Sequence, residues 1–265
     1  MRIIVHSALS RKSRFCPPEP LARGAGSCYD ENNERKGRAE TRKRVLLCVL
    51  ALALTLTLLC SCGAPKQKYI AITFDDGPEY VNTAAMLDGL AARGAKATFF
   101  IVGQWTPGKG ELNRRIEAEG HQLGSHTVSH ESLKDMTDEE VRAELEGFKE
   151  IMAQFTDQKE FWLRPPFGFC DERVAALCDV PVILWSIDPA AGNVVPADKM
   201  TRTILRQARD GAIILMHDTT EANVEASLAA IDALQAKGYT FVTVEELMRV
   251  KGVEPQAGKI YRRIK

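Results

Sequence analysis

The stretch Y-I-A-I-T-F-D-D-G-P (69–78) decides the fold that this sequence predicts. Its first six residues form an apolar, β-rich run. Two adjacent carboxylates, Asp75 and Asp76, follow it, and a Gly-Pro turn then exposes them. Because neighbouring residues point in different directions, one carboxylate can bind a metal ion while the other stays free as a base. An Asp-Asp pair alone is equally consistent with a turn or a helix cap.

Beyond this strand, apolar β-rich runs alternate with helical patterns. The alternation implies parallel strands joined by right-handed crossovers, so the fold class is α/β, either a barrel or a doubly wound sheet. A single domain is predicted at about 66–250, followed by a C-terminal tail at 251–265, and Thr137 with Glu140 forms a capping box. The predicted strands are 69–74, 97–102, 161–163, 182–187, 212–216 and 240–242, and the predicted helices are 82–92, 111–119, 138–155, 196–209 and 221–237.

The third strand region, at 120–130, follows the predicted helix 111–119 and contains a histidine pair, His126 and His130. Residues four apart on one helical turn share a face, whereas along an extended strand they would lie too far apart for one ion. With a turn there, Asp76, His126 and His130 supply three protein ligands and leave room for water, as in a catalytic zinc site. A solvated histidine pair is the alternative, and His121 is interpreted as structural.

Two further strand ends carry polar groups. Arg164 follows a short apolar run and precedes two prolines, and His217 ends the apolar run 212–216. Taken singly, Arg164 fits a surface ion pair and His217 fits a capping or core histidine. Ligands of parallel α/β sheets bind at the carboxyl ends of strands, so four such segments together predict one functional site.

Composition excludes several classes of protein. The chain has 265 residues, of which 45% are hydrophobic and 26% charged, and this excludes collagen, low-complexity disorder and a polytopic membrane protein. The net charge of zero combines a basic segment 1–62, with 11 basic and 5 acidic residues, with 24 basic and 30 acidic residues in 63–265. An acidic body gives no electrostatic reason to bind nucleic acid.

The N-terminal part predicts export. Segment 45–62 combines a basic flank, a 16-residue apolar run and a small-residue exit, as in a signal peptide or short membrane anchor. L-C-S-C (59–62) also resembles a bacterial lipobox, with Cys62 as the lipidated residue. We therefore expect the protein at the outer face of the bacterial cytoplasmic membrane, or secreted. Segment 1–44 is predicted to be disordered, and a start codon assigned too early is one hypothesis for it.

Cysteine usage gives no disulfide framework. The exported body contains only Cys170 and Cys178 beyond the boundary residue Cys62. The two cysteines could form one disulfide bridge or remain two separate thiols. If 171–178 is helical, the spacing favours the thiols.

Four motifs together resemble the NodB-type polysaccharide deacetylases, carbohydrate esterases of family 4. They are T-F-D-D-G-P (73–78), H-T-V-S-H (126–130), R-P-P-F-G (164–168) and L-M-H-D (215–218), and the resemblance covers about 69–244. It implies a distorted (β/α) barrel and a metal-dependent hydrolase that removes acetyl groups from a polysaccharide. The implied metal ligands are Asp76, His126 and His130, the implied base is Asp75, and the implied acid is His217.

The resemblance also assigns supporting roles. Arg164 would keep Asp75 ionised, the backbone N–H of Phe167 would stabilise an oxyanion, and Leu215 would line the pocket for the acetyl methyl group. The implied cofactor is a divalent metal; Zn²⁺ is favoured, and Co²⁺, Ni²⁺, Mn²⁺ or Fe²⁺ are compatible with these ligands. The implied partner is a cell-wall glycan, with membrane association only through an N-terminal lipid or anchor.

One family segment is altered here. The Asp-Trp pair that supports the histidine acid and walls the sugar site would fall near Ala191-Gly192, where neither residue is present. Asp188 and Asp218 are the candidate substitutes for this Asp. The leading hypothesis is removal of N-acetyl groups from N-acetylglucosamine or N-acetylmuramic acid of peptidoglycan. The alternatives are an O-acetyl esterase or a deacetylase of chitin or xylan, and a non-catalytic glycan-binding lipoprotein.

Overall fold

The computed structural model describes residues 37–38, 40–49 and 66–265. The chain divides into two compact units, Met1–Ala64 and Pro65–Lys265, and each is considered by itself. In the first unit, residues 37–38 and 40–49 are helical (α1), which differs from the disorder predicted up to residue 44. The rest of the predicted leader, most of segment 45–62 and Cys62 lie outside the described residues. Within the described ranges, no helix combines the length and apolar character needed to cross a bilayer.

Strands and helices alternate in the second unit, as predicted. Helices begin within one residue of their predicted starts, because the capping and periodicity signals are local, and they end up to three residues early. The elements in chain order are β1 (Lys68–Gly77), α2 (Asn82–Ala92), β2 (Thr98–Ile101), α3 (Gly110–Ala118), β3 (Gln122–Ser125), α4 (Asp138–Met152), α5 (Glu172–Ala176), β4 (Val182–Ile183), α6 (Ala197–Gln207), β5 (Ile213–His217), α7 (Glu221–Gln235), β6 (Tyr239–Phe241), α8 (Val244–Lys251) and β7 (Ile260–Tyr261).

Strand β1 is the centre of the main sheet. It pairs in parallel with β2 and β5, its first three residues pair with β6, and β3 pairs with β2. The resulting order is β3-β2-β1-β5, with β6 attached to β1. Parallel pairing brings the carboxyl ends of β1, β3 and β5 to the same rim, which is the rim where the predicted motifs lie.

The rest of the barrel wall is irregular. Leu163 forms single bridges to Ser125 of β3 and to Val182 of β4, and Ile187 forms a single bridge to Ile214 of β5. The regular strands predicted at 161–163 and 182–187 are therefore wrong in extent: the first is reduced to one residue, Leu163, with two bridges, and the second to the two residues of β4 and a single bridge at Ile187. The ring nevertheless closes from β3 back to β5, so the fold is the distorted barrel and not the doubly wound alternative.

Alternation along β1 separates two faces. Ile70, Ile72 and Phe74 pack against the surrounding helices, whereas Ala71 belongs to a second cluster that includes Phe100. Side chains alternate along a strand with a period of two, so Thr73 and Asp75 share the face of Ala71. The Asp75 side chain therefore points into the barrel and not towards the surrounding helices.

The segment predicted as a C-terminal tail, 251–265, is part of the domain. Val182 N–H donates to the carbonyl of Lys259 at 3.0 Å, and Leu184 N–H donates to that of Tyr261 at 2.8 Å. Ile264 is buried in the second cluster, and its N–H donates to Gly211 O at 2.9 Å. These contacts supply pairing that the short β4 lacks, so the domain extends past residue 250 at least to Ile264.

Candidate active site

The end of β1 separates its two carboxylates. Asp75 is 3% exposed and lies on the interior face, where its Oδ1 accepts a hydrogen bond from Arg164 Nη1 at 2.7 Å. At Asp76 the backbone turns into the left-handed region, with φ at 67°, which is uncommon for a residue other than glycine. The turn directs the Asp76 carboxylate to the histidines while Asp75 remains in the barrel.

The loop after β3 holds the histidine pair in a conformation that differs from the predicted helical turn. Thr127 and His130 both have positive φ, at 67° and 62°, and 126–130 is an irregular bend. Glu144 of α4 accepts hydrogen bonds from the N–H groups of Val128 at 2.7 Å and Ser129 at 2.9 Å. The prediction that a turn brings His126 and His130 together is therefore right in outcome and wrong in geometry.

Asp76, His126 and His130 converge on one point. Asp76 Oδ1 lies 3.4 Å from Nε2 of His126 and 3.2 Å from Nε2 of His130, and the three donor atoms all lie within 4.8 Å of one another. Asp76 Oδ1 is buried and has no hydrogen-bond partner, because these contacts lack hydrogen-bond geometry. A buried oxygen left without a partner is costly, and a cation would satisfy it. The donor set therefore fits a divalent metal.

His126 is oriented for this role by the backbone. Its Nδ1 donates to the carbonyl of Arg164 at 2.6 Å, which leaves the Nε2 lone pair facing Asp76. Burial lowers the pKa of His126, but the negative charges of Asp75 and Asp76 outweigh this effect and raise it above its usual value. Burial likewise opposes ionisation of Asp76, yet the contacts to both imidazoles hold the pKa of Asp76 well below its usual range.

Arg164 is fully buried behind the carboxylates. Besides Asp75, its guanidinium donates to Thr73 Oγ1 at 2.6 Å and to the carbonyls of Ile183 at 3.0 Å and Leu184 at 3.3 Å. Its Cζ lies 4.1 Å from the centroid of the Phe100 ring. The surface ion pair considered for Arg164 is excluded, and the residue holds Asp75 in one position as a buried counter-ion.

His217 lies at the end of β5 on the other side of Asp76. Its side chain is 36% exposed, and its Nε2 lies 3.7 Å from Asp76 Oδ2. Neither proposed substitute for the missing support forms an ion pair or a hydrogen bond with the His217 ring among the described residues. Asp188 Oδ1 accepts from the N–H groups of Ala190 and Ala191, and Asp218 accepts from Thr83 Oγ1. Within the described part of the chain, no carboxylate other than Asp76 pairs with the His217 ring.

The remaining predicted residues line one cleft of about 600 Å³ with the metal triad, Asp75 and His217. Leu215 is 7% exposed on its wall. Phe167 has φ at 61°, and its backbone N–H has no acceptor among the described residues, as an oxyanion donor requires. The structure thus brings every predicted site residue of the body together, with Arg164 directly behind the cleft and Cys62 outside the described residues.

Similarity to known proteins agrees with this geometry. A family model described as polysaccharide deacetylase matches residues 63–180. A peptidoglycan-N-acetylglucosamine deacetylase from Bacillus cereus is 32% identical over 187 residues, which cover 68% of this chain and 68% of that protein. The chain belongs to the polysaccharide deacetylase family.

Other members of the polysaccharide deacetylase family extend the comparison. A peptidoglycan-N-acetylglucosamine deacetylase from Listeria monocytogenes is 37% identical over 201 residues, covering 75% of this chain and 42% of that protein. The chain thus spans about two fifths of the length of its Listeria relatives. A solved family 4 acetyl xylan esterase from Clostridium thermocellum, in complex with a cobalt ion, superposes with a TM-score of 0.70 at 29% identity, over 74% of this chain and 99% of that chain.

Several residues that support the candidate site were missed in the sequence. Thr73 belongs to the first motif but had no assigned role, and its position two residues before Asp75 was the available signal. Trp105 stacks on His130 with ring centroids 5.5 Å apart, and Trp185 lines the cleft. Glu144 lies on α4 among other acidic residues, and nothing in the local sequence distinguishes it.

Proposed function

We propose that this protein hydrolyses N-acetyl groups of peptidoglycan, on N-acetylglucosamine or N-acetylmuramic acid, and that it uses a divalent metal ion to do so. The observation that carries the proposal is the convergence of Asp76 Oδ1, which has no hydrogen-bond partner, with Nε2 of His126 and His130, beside Asp75 held by Arg164. A metal site with a purely structural role would need only its ligands and would not need Asp75, a further carboxylate held in place beside them.

Asp76, His126 and His130 would hold the metal, which when bound supplies Lewis-acid polarisation of the acetyl carbonyl and acidifies a water molecule. Asp75 takes the proton of the attacking water, and Arg164 holds that carboxylate in position through a hydrogen bond of 2.7 Å. The Phe167 N–H donates to the oxygen of the tetrahedral intermediate. His217 then gives a proton to the departing sugar nitrogen, which is a poor leaving group without it.

The choice of peptidoglycan has two supports. The Listeria and Bacillus cereus relatives are both peptidoglycan-N-acetylglucosamine deacetylases. In addition, we propose that the apolar run in segment 45–62 exports the chain, with Cys62 as lipidation site, so that the site meets the cell wall. Acetylated xylan is the second candidate, because the Clostridium thermocellum structure is that of an acetyl xylan esterase.

The test is acetate release from purified peptidoglycan, chitin oligomers and acetylated xylan by the full chain, with metal added and after chelation. Asp75→Asn is the matched variant, because it removes the base while keeping the size of the side chain and leaving the three metal ligands in place. We expect metal-dependent release from peptidoglycan, a loss of about 10²- to 10⁴-fold in Asp75→Asn, and metal binding retained in that variant.

Each other outcome has a defined meaning. Release from xylan alone would replace the substrate in the proposal with the second candidate. Glycan binding without acetate release from any of the three polymers would contradict the proposed activity and favour the non-catalytic glycan-binding function. Release that survives complete chelation would contradict the proposed use of a metal.

A further inference from the structure

Three large aromatic side chains near the candidate site are exposed to solvent. Trp105, Phe167 and Phe169 have 37%, 58% and 47% of their surface exposed, and we call them the aromatic row. Large exposed apolar side chains that lie together on a soluble protein indicate a binding surface. Phe169 was given no role by the sequence or by the proposed mechanism.

The aromatic row is continuous with the metal triad. The Trp105 ring stacks on His130 at 5.5 Å, His130 meets Phe167 edge to face at 5.1 Å, and Phe167 and Phe169 are tilted against each other at 5.8 Å, all between ring centroids. Phe167 also lines the catalytic cleft, whereas Phe169 does not. The aromatic row therefore extends from His130, in the catalytic cleft, to Phe169, outside it.

The backbone that carries the Phe167 and Phe169 rings is sterically constrained. Phe167 and Gly168 both have positive φ, at 61° and 70°, and a Cβ on Gly168 would lie 2.7 Å from the Trp185 ring. Lys134 Nζ lies 4.8 Å from the centroid of the Phe169 ring and covers part of it. A backbone that is constrained before binding loses little conformational entropy when a ligand stacks on its side chains, so the arrangement favours binding.

We propose that Phe167 and Phe169 bind a second sugar ring of the same glycan strand, next to the ring whose acetyl group is hydrolysed. This inference rests on the proposed function, since it assumes a glycan in the cleft. Pyranose rings present faces of C–H groups that pack on aromatic faces. Because the aromatic row enters the catalytic cleft, a ligand bound to the row must share that cleft with the substrate. A polymer chain that continues from the reacting sugar meets this condition, whereas a separate protein partner does not.

The test compares Phe169→Leu with Phe169→Tyr. Leucine keeps the apolar volume but removes the flat face, and tyrosine keeps the face, so only the leucine variant is expected to lose the subsite. For substrates too short to reach Phe169, such as a single acetylated sugar, both variants should match the native protein. For longer oligomers, Phe169→Leu should raise KM roughly 2- to 10-fold with little change in kcat, and Phe169→Tyr should restore the native value.

A second readout separates this inference from the proposed activity. Glycan oligomers of increasing length are titrated into the Asp75→Asn protein with and without Phe169→Leu, and affinity is measured without turnover. We expect affinity to rise with length only when Phe169 is present. Tyr239→Leu is the control, because Lys68 Nζ lies 4.8 Å over that ring at the opposite end of the barrel.

Equal effects of Phe169→Leu on short and long substrates, or identical behaviour of the leucine and tyrosine variants, would overturn the inference. Absence of acetate release by the native protein, combined with length-dependent binding that Phe169→Leu removes, would contradict the proposed activity and leave the subsite supported.

Discussion

Asp75 and Asp76 are adjacent in the chain but lie in different surroundings. Strand parity aims Asp75 into the barrel at Arg164, and the positive φ of Asp76 directs the next carboxylate to the two histidines. The sequence predicted two separate tasks for this pair from the alternation of side chains alone. It did not predict the positive φ values, because left-handed backbone at Asp76, Thr127, His130 and Phe167 is imposed by tertiary contacts that over-determine the loops.

Ala191 occupies a position where a carboxylate should improve the site. Its φ is 49°, its side chain is exposed, and Asp adopts left-handed backbone more readily than Ala. Ala191→Asp is expected to fold normally and to raise kcat, because it adds a negative charge to the cleft that Ala191 and His217 both line. The measurement is kcat of the variant and of the native protein on the same glycan substrate.

Ala191→Asn is the matched control for this charge, since it has the same shape and the same backbone preference. A gain in Ala191→Asp alone assigns the effect to the carboxylate. Equal gains in both variants, or no gain in either, would show that His217 does not depend on a charge at this position.

His121 should make stability depend on pH. Burial lowers the pKa of His121 to about 4, and its Nδ1 accepts the Ala97 N–H at 3.2 Å. An unfolded chain gains a proton on this histidine near pH 6.5, whereas the folded chain resists it until about pH 4. The free energy of unfolding should therefore fall as pH decreases through this interval, and more steeply than in His121→Gln, whose side-chain oxygen keeps the acceptor. If the free energy of unfolding of the native protein and of His121→Gln changed equally with pH over this interval, the lowered pKa of His121 would be refuted.

Among the elements, α4 holds the loop that carries two of the three candidate metal ligands. Glu144 of this helix accepts two N–H groups of the loop that carries His126 and His130. Glu144→Ala is expected to lower metal affinity about 10- to 100-fold, as other outer-sphere changes do. Competition with a chelator measures the affinity.

Glu146→Ala is the control on the same helix, because Glu146 pairs with Lys149 at 2.8 Å on the exposed side. An equal loss of metal affinity in both variants would mean that the effect comes from the helix as a whole and not from the loop contacts.

The elements that the sequence predicted well carry their signals locally. Thr137 caps α4 with the predicted capping box, and the apolar run of β1 marks the central strand. Helix α8 was missed although Thr243 and Glu246 form the same start signal, because the helix follows β6 almost directly. Segments 161–163 and 182–187 were overpredicted, since their apolar residues are buried by barrel closure and not by regular pairing.

At the scale of the whole molecule, the C-terminal segment completes the barrel wall. Ile264 is 1% exposed in the second core cluster, and Gly211 approaches its carbonyl so closely that no side chain fits there. Ile264→Ala is expected to lower the free energy of unfolding by about 2–5 kcal/mol, measured by urea denaturation. Ile260→Ala, at an exposed position of β7, should change it by less than about 1 kcal/mol. Similar small losses in both would show that the segment is peripheral to the fold.

Arg164 joins the barrel wall where regular pairing is absent, because its donors reach the carbonyls of Ile183 and Leu184 as well as Asp75. Arg164 should therefore be conserved for two reasons, its contact with Asp75 and its support of the barrel wall. A lineage released from the need for turnover can lose His130 or His217 one at a time and still fold, whereas losing Arg164 leaves the buried Asp75 without its counter-ion and both carbonyls without donors. In homologues without catalytic activity, Arg164 should therefore be retained more often than His130 or His217. Retention of Arg164 alone would not indicate an active enzyme.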